Sequence, residues 1–479
     1  MVNTKLVILL KTLSKTEINR FRELVNSPFY NKNQNVIRLC EELVKFYPSF
    51  DSDECTEEMI FRKMFANEEY NYFKIKNLIS DLYQLAMTFL KLIAVEKRGV
   101  ENEIDLLNEL HERKLDNLYL QKEKQVKKIM NERIVKDEFF YEAKYQLARA
   151  ATSHYKFEKS SYTFDLIQNE FDVFVRYALI VLLRTYSKML TNKNHGNVDF
   201  KMEMFENIWD YIKDKDFDDN PSCKIYKQII ALELSRDEKD YRLLMSYKEK
   251  HEKNLSDEDI YYILLVANSF AVYRLRLGDE SFYRERFNIL KEMVDRNITS
   301  PDYALYVNVI SNYTSACVVD EYEWAEDFLN RFQNGISPAE ERSNTINYCK
   351  GFLAYRLKKY GKALEFFSRT NFKLFLVKVM VRSYTVRIYY EQDMHEQTLS
   401  SIDAFRHYLK SEKMMAEEQK IAHYEFLKYV GELTKLRTEG FKNKNDKGIS
   451  LLKKDIRKMQ SNPLGVKNWL IEKSENFRG

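Results

Sequence analysis

Residues 348–369 read YCKGFLAYRLKKYGKALEFFSR, and the fold is decided here. The stretch divides into two short amphipathic segments around the polar turn Lys358-Lys359. Gly351 places a small residue in the first segment. Tyr360 opens the second, Ala363 is its small contact residue and Phe367 its apolar plug. Two helices of this length cannot bury an apolar face alone, so the pattern requires neighbours of the same kind.

The flanking sequence supplies them. Tyr322, Ala325, Phe328 and Leu329 return 38 residues later as Tyr360, Ala363, Phe366 and Phe367. About 34 residues further on, Lys358-Lys359 maps to Gln392-Asp393 and Tyr355 to Tyr389, which is the spacing of helix–turn–helix solenoids. Eleven glycines and six prolines are few for 479 residues, and sheet or nucleotide-binding folds use more such turn formers. The predicted class is all-α: a helical N-terminal unit followed by an α–α solenoid of stacked helix hairpins.

Working outward, Ser14-Lys-Thr-Glu17 is a capping box opening a helix through Ile18, Phe21, Leu24 and Val25, which Ser27-Pro28 ends. A second helix carries Val36, Leu39, Leu43 and Phe46. A third opens at Thr56, and a long fourth runs from Ile75 to Ile93. Residues 101–135 read as a hairpin broken near Asp116. Helices follow at about 137–157, 162–190, 199–213, 223–234, 238–251 and 257–277, with breaks at Asn194-His195-Gly196 and Asp218-Asp219-Asn220-Pro221. The expected divisions are a compact unit over 1–97, a hairpin array over 98–256, repeats over 257–431, and a basic segment with a final helix over 432–479.

At 348–369 the sequence resembles a tetratricopeptide repeat, with Gly351, Tyr360, Ala363 and Phe367 at that family's small, aromatic, small and large positions. The flanking repeats depart from it: Tyr313 stands at the small position one repeat back, and Gln397 replaces the alanine one repeat on. The resemblance implies that the first helix of each pair lines a concave groove. Tyr348, Phe352, Tyr355 and Arg356 would line it in the good repeat, and Arg382, Val386 and Tyr389 in the next. Aromatics and arginines suit that role because they bury large area and still offer hydrogen bonds. In a chain that is 14% aromatic, however, packing between helices is the commoner role for any one of them. The opening LSKTEINRF…SPFYNKN resembles a group of bacterial helical proteins, and that resemblance carries no activity.

Known catalytic signatures are missing. No two glycines lie closer than Gly440 and Gly448, which excludes GxGxxG, and Arg356 stands where a phosphate loop ending at Gly361-Lys362 needs its first glycine. Neither HExxH nor GxSxG occurs. The seven histidines are scattered and offer no zinc-ligand spacing. Asp214, Asp216 and Asp218 imitate the start of a calcium loop, but Asp219 takes the glycine position and Ile225 the glutamate position, so an acidic interhelix loop is expected. No metal, cofactor or catalytic residue is assigned.

The net charge of +4 implies no global polyanion partner. The local exception is 435–458, where nine Lys/Arg face three acids. Lys442, Lys444, Lys453, Lys454, Arg457 and Lys458 could touch phosphate there, although a solvated face is the commoner outcome. The five cysteines are odd in number and form no CxxC pair, which fits buried thiols in a reducing compartment. The most apolar segment, Val173 to Leu183, is interrupted by Arg176 and shorter than the roughly 20 residues of a membrane span, so it is expected as a fully buried helix in a cytoplasmic protein. The functional expectation is a non-catalytic scaffold or adaptor that binds a protein or peptide in its groove. The alternative is a nucleic-acid-associated regulator using basic patches.

Overall fold

The computed structural model describes residues 4–155, 161–196, 199–298, 305–415, 417–438 and 446–476. Among these the fold is all-α, with no strand and one isolated bridge, Leu305 to Ser337. The chain divides into two compact units, Met1–Arg133 with Phe140–Phe174, and Ile134–Phe139 with Val175–Gly479.

The first unit opens with α1 (Lys5–Lys11), α2 (Lys15–Asn26), α3 (Gln34–Val44), α4 (Glu57–Met64) and α5 (Tyr72–Lys97). The capping box at Ser14 is formed in both directions: the Glu17 amide donates to the serine hydroxyl at 3.2 Å and the Ser14 amide to the Glu17 carboxylate at 2.8 Å. That contact holds the Glu17 carboxyl below its usual range. The sequence pattern gives no helix before Ser14, yet α1 forms and buries Leu6, Val7 and Leu10 in a core shared with Phe21, Leu39, Phe61, Leu82 and Phe89. A short apolar run needs only one sealed face to fold against such a core. Next come α6 (Val100–Glu112) and α7 (Asp116–Glu132), the expected hairpin, then α8 (Glu138–Tyr155) and α9 (Ser161–Gly196). His111 and His154 share a hydrogen bond of 3.0 Å, and Tyr119 stacks on His154 at 3.8 Å.

Helix α9 corrects an expectation. Within Val173–Leu183 it is not fully buried: Val173, Leu179, Ile180 and Leu183 are buried, while Phe174 and Arg176 are exposed. The structure also extends it beyond residue 190 to Gly196. Two other helices, α5 and the Asp257–Leu277 helix described below, are long and apolar enough to cross a membrane by length and composition. Both place apolar residues in helix–helix cores.

The second unit continues with α10 (Phe205–Ile212), α11 (Pro221–Ser235), α12 (Glu238–His251), α13 (Asp257–Leu277) and α14 (Phe282–Asp295). It then runs through α15 (Tyr306–Val318), α16 (Tyr322–Phe332), α17 (Arg342–Arg356), α18 (Tyr360–Ser368), α19 (Phe375–Glu391), α20 (His395–Ser411), α21 (Glu417–Thr438), α22 (Asp446–Arg457) and α23 (Val466–Glu475). The break at Asn220-Pro221 behaves as expected: Asn220 caps α11 by accepting from the Cys223 amide, and Pro221 takes the first turn, where no amide is needed. Consecutive helices pack in pairs, and the first helices of adjacent pairs also touch, α15 on α17 and α17 on α19. This is an arrangement of solenoid type.

One turn is repeated through these pairs. Gly278, Asp320, Lys358 and Asp393 all adopt positive φ. At each, the amide of the turn residue donates three residues back and the next amide donates five back: Asp320 to Cys317 and Glu321 to Ala316, Lys358 to Tyr355 and Lys359 to Ala354, Asp393 to Tyr390 and Met394 to Tyr389. This left-handed cap satisfies carbonyls that the helix end leaves open, and glycine and aspartate tolerate it best. Five residues beyond these turns, Ala325, Ala363 and Thr398 are each 0% exposed. Nine beyond, Leu329, Phe367 and Ile402 are buried. The last step is therefore 35 residues rather than 34. The small residue of that pair is Thr398, and Gln397 lies exposed beside it.

The chain end returns to an earlier pair. The 3-10 turn Pro463–Gly465 packs on α13, and α23 packs on α21. The Asn462 amide donates to the Arg276 carbonyl at 2.7 Å, and the Asn468 side chain donates to Glu280 at 2.7 Å and to the Gly278 carbonyl at 3.3 Å. All five cysteines are buried.

Candidate functional site

The repeated turn fixes which side chains of α17 and α19 stand at equivalent positions, and it rearranges the expected groove. Tyr348 and Phe352 are 0% and 2% exposed, stacked at 6.3 Å and enclosed by Phe367, Phe372 and Tyr384. Val386 is 0% exposed. These three are core residues and offer nothing to a partner. The α17 first-helix row continues on α19 at Ser383, Arg387 and Tyr390, one position after Arg382, Val386 and Tyr389. A one-residue slip turns a helix by about 100°, and Ser383, Arg387 and Tyr390 are all buried, while Arg382 and Tyr389 are only half-buried.

Tyr355, Arg382 and Tyr389 remain half-buried and reachable. Tyr355 lies 5.0 Å from the Tyr384 ring, and Arg382 sits over Tyr408 at 4.6 Å. Arg356 is committed elsewhere. Its Nη2 donates to the Val318 carbonyl and to the turn carboxylate of Asp320, both at 3.2 Å. Arg437 repeats the device on α19, donating to the Tyr390 carbonyl at 3.0 Å and to Asp393 at 2.6 Å. A cation at a helix C-terminus meets open carbonyls and the negative end of the helix dipole, so each arginine fastens one helix pair to another. Asp320 is held below the usual carboxylate range, first by the Tyr322 hydroxyl and then by Arg356.

A polar cluster without a signature in the sequence joins α13, α14 and α15. Arg286 of α14 donates from Nε to the Asn268 side-chain Oδ1 at 3.2 Å and from Nη2 to the Ser311 hydroxyl at 2.5 Å. No carboxylate of the described residues pairs with it, and burial pulls its pKa down to about 10. Its surroundings are dense, yet part of its surface stays accessible, as do parts of Asn268, Ser311 and Tyr283. Tyr283, one turn before Arg286, directs its hydroxyl toward Gly465, 3.3 Å from where a Cβ on that glycine would lie. Burial raises the Tyr283 phenol, Glu280 adds to the rise, and the fields of Arg387, Arg286 and Arg356 oppose it. The same returning segment engages Arg387: its Nη2 donates to the Leu464 carbonyl at 2.6 Å, within a cage of Tyr384, Phe426 and Trp469 at 5.1, 5.7 and 5.7 Å. Trp469 in turn donates to Glu391 at 2.9 Å.

In the basic segment, Lys442 and Lys444 lie outside the described residues. Arg457 pairs with Glu475 at 3.1 Å and Lys458 with Asp455 at 3.4 Å. Lys454 is exposed on α22, and Lys453 is half-buried there. The calcium-like loop places Asp216 and Asp218 on the Lys224 ammonium, and Asp219 on Arg176 at 2.6 Å. No group of three or more metal-ligating side chains occurs among the described residues. No family model matches this chain, and no curated protein and no solved structure is similar to it.

Proposed function

We propose that the second unit is a tetratricopeptide-like array acting as a non-catalytic scaffold, with a protein or peptide segment docking on the accessible face of α17 and α19. The recurrence of one left-handed turn at Asp320, Lys358 and Asp393, with buried Ala325, Ala363 and Thr398 in register, carries this reading. Repeats stacked on shared first helices present one continuous face, and surfaces of that kind bind extended partners. Arg382 and Tyr389 are its reachable anchors on α19, and Tyr355 is reachable on α17, since they combine area with polar ends. The segment carrying Trp469 covers the neighbouring part of α19, which leaves the partner surface on the side of Arg382 and Tyr389.

Photo-crosslinking tests this in cells. A crosslinking residue at position 382 or 389 is expected to trap one discrete protein adduct, whereas the same residue at Lys362, exposed on the second helix of its pair, traps none. Tyr389→Ala should abolish the adduct at 382. Equal labelling at all three positions, or none at 382 and 389, refutes the reading.

A further inference from the structure

The cluster around Arg286 gathers donors and no carboxylate. A guanidinium carries five N–H groups, and Arg286 uses the one on Nε and one of the two on Nη2 toward neutral oxygens. Its Nη1 makes no hydrogen bond among the described residues. The Asn268 amide nitrogen and the Ser311 hydroxyl proton are also uncommitted, because both side chains act toward Arg286 only as acceptors. The Tyr283 hydroxyl donates to nothing among the described residues and stands on the same face of α14, three positions before Arg286. These four part-buried groups come from three helices, α13, α14 and α15.

A charge taken out of water without a counter-charge is strongly disfavoured, so buried guanidiniums ordinarily hold a carboxylate. Three arginines of this unit follow that rule, since Arg356 has Asp320, Arg437 has Asp393 and Arg274 has Asp279, whereas the buried Arg387 and the part-buried Arg286 have no carboxylate among the described residues. Arg286 has two neutral partners, and the nearby Arg387 is bonded to a backbone carbonyl. The field at Tyr283 contains three guanidiniums and one carboxylate, Glu280, which is itself bonded by Asn468.

We propose that this part-accessible cluster binds a small oxyanion, a carboxylate or a phosphoryl group, with Arg286 as counter-ion and Ser311, Asn268 and Tyr283 as neutral donors. Such a ligand receives the bidentate contact that guanidinium geometry favours. The site stands independently of any partner on α17 and α19.

The test uses the full chain, with inorganic phosphate and acetate titrated calorimetrically at constant ionic strength set by sodium chloride. Wild type is expected to show saturable binding of at least one of the two. The tighter one assigns the group: phosphate a phosphoryl ligand, acetate a carboxylate. Arg286→Met should weaken it by about ten-fold or more, the worth of one charged hydrogen-bond pair. It should leave the thermal midpoint without added anion unchanged or raised, because it removes an unpaired charge. Ser311→Ala, a milder change, should weaken binding by about three-fold and decides the matter if Arg286→Met does not fold. Two results overturn the proposal: no saturable binding of either anion by wild type, or Ser311→Ala and a folded Arg286→Met that bind as wild type does.

Discussion

Gly351 is the position where the repeat packing can be measured most directly. A Cβ built there would lie 2.8 Å from two ring carbons of Phe367 and 3.2 Å from the Phe366 Cβ. The Phe367 ring cannot retreat freely, since Tyr348 and Tyr384 sit 5.8 and 6.3 Å from its centre. Two effects oppose each other in Gly351→Ala. Helix propensity and reduced freedom of the unfolded chain favour alanine by about 1 kcal/mol. Overpacking against a closed ring costs about 1–3 kcal/mol. Gly361 provides the control, because it lies in the paired helix and a methyl group added there would meet no atom within 4 Å. Gly361→Ala carries the propensity gain without the clash and should stabilise by about 0.5–1 kcal/mol. The two variants should therefore differ by about 1–3 kcal/mol, with Gly351→Ala the less stable. All three tryptophans, Trp209, Trp324 and Trp469, lie in the second unit, so tryptophan fluorescence during urea unfolding follows that unit even in the full chain. Adding Phe367→Leu to Gly351→Ala should recover part of the loss. If Gly351→Ala stabilises as much as Gly361→Ala, the close approach of α17 and α18 is not what holds this pair.

Tyr348 is fully buried and its hydroxyl bonds nothing among the described residues, so Tyr348→Phe should leave stability unchanged or raise it by up to about 1 kcal/mol in the same urea assay; a large loss would show a hidden polar role. Arg356→Met removes the fastening of α17 to the α15 turn and should cost about 1 kcal/mol, with Arg437→Met losing a similar amount on α19; no loss in either would reduce the repeated contact to a surface ornament. His423 is 3% exposed, and burial, with Arg387 nearby, lowers its pKa to about 4. The unfolded chain takes up that proton near pH 6.5 and the folded chain does not, so stability is complete above that value and falls as the pH drops toward 4, by about 2 kcal/mol at pH 5. Unfolding free energies from urea at pH 7 and pH 5 should differ by that much less in His423→Leu; an unchanged difference would place the acid sensitivity elsewhere.

Much of this fold was legible in local sequence. The capping box at Ser14, the Asn220-Pro221 start of α11, the hairpin broken near Asp116 and the pair around Lys358 are all settled within a few residues of chain, by caps, prolines and the 3.6-residue period. What the sequence misjudged was orientation. Tyr348 and Phe352 carry the chemistry of an interface, but Phe367, Phe372 and Tyr384 enclose them, and Val386 is buried in a core with Ile402 and Phe405. Position along the chain does not say which aromatic faces a second helix and which faces solvent.

Amino-acid order alone determined that this chain is helical, where most of its helices begin and end, and that a helix pair near residue 358 requires neighbours, because propensity, capping and amphipathic period act over one or two turns. Only the tertiary structure decided the 35-residue register that puts Thr398 in the core, the commitment of Arg356 to Asp320, the meeting of Arg286 with Asn268 and Ser311, and that of Tyr283 with the returning Gly465. Those contacts join residues from 18 to 182 positions apart, and it is the stacking of one pair on the next that brings them together.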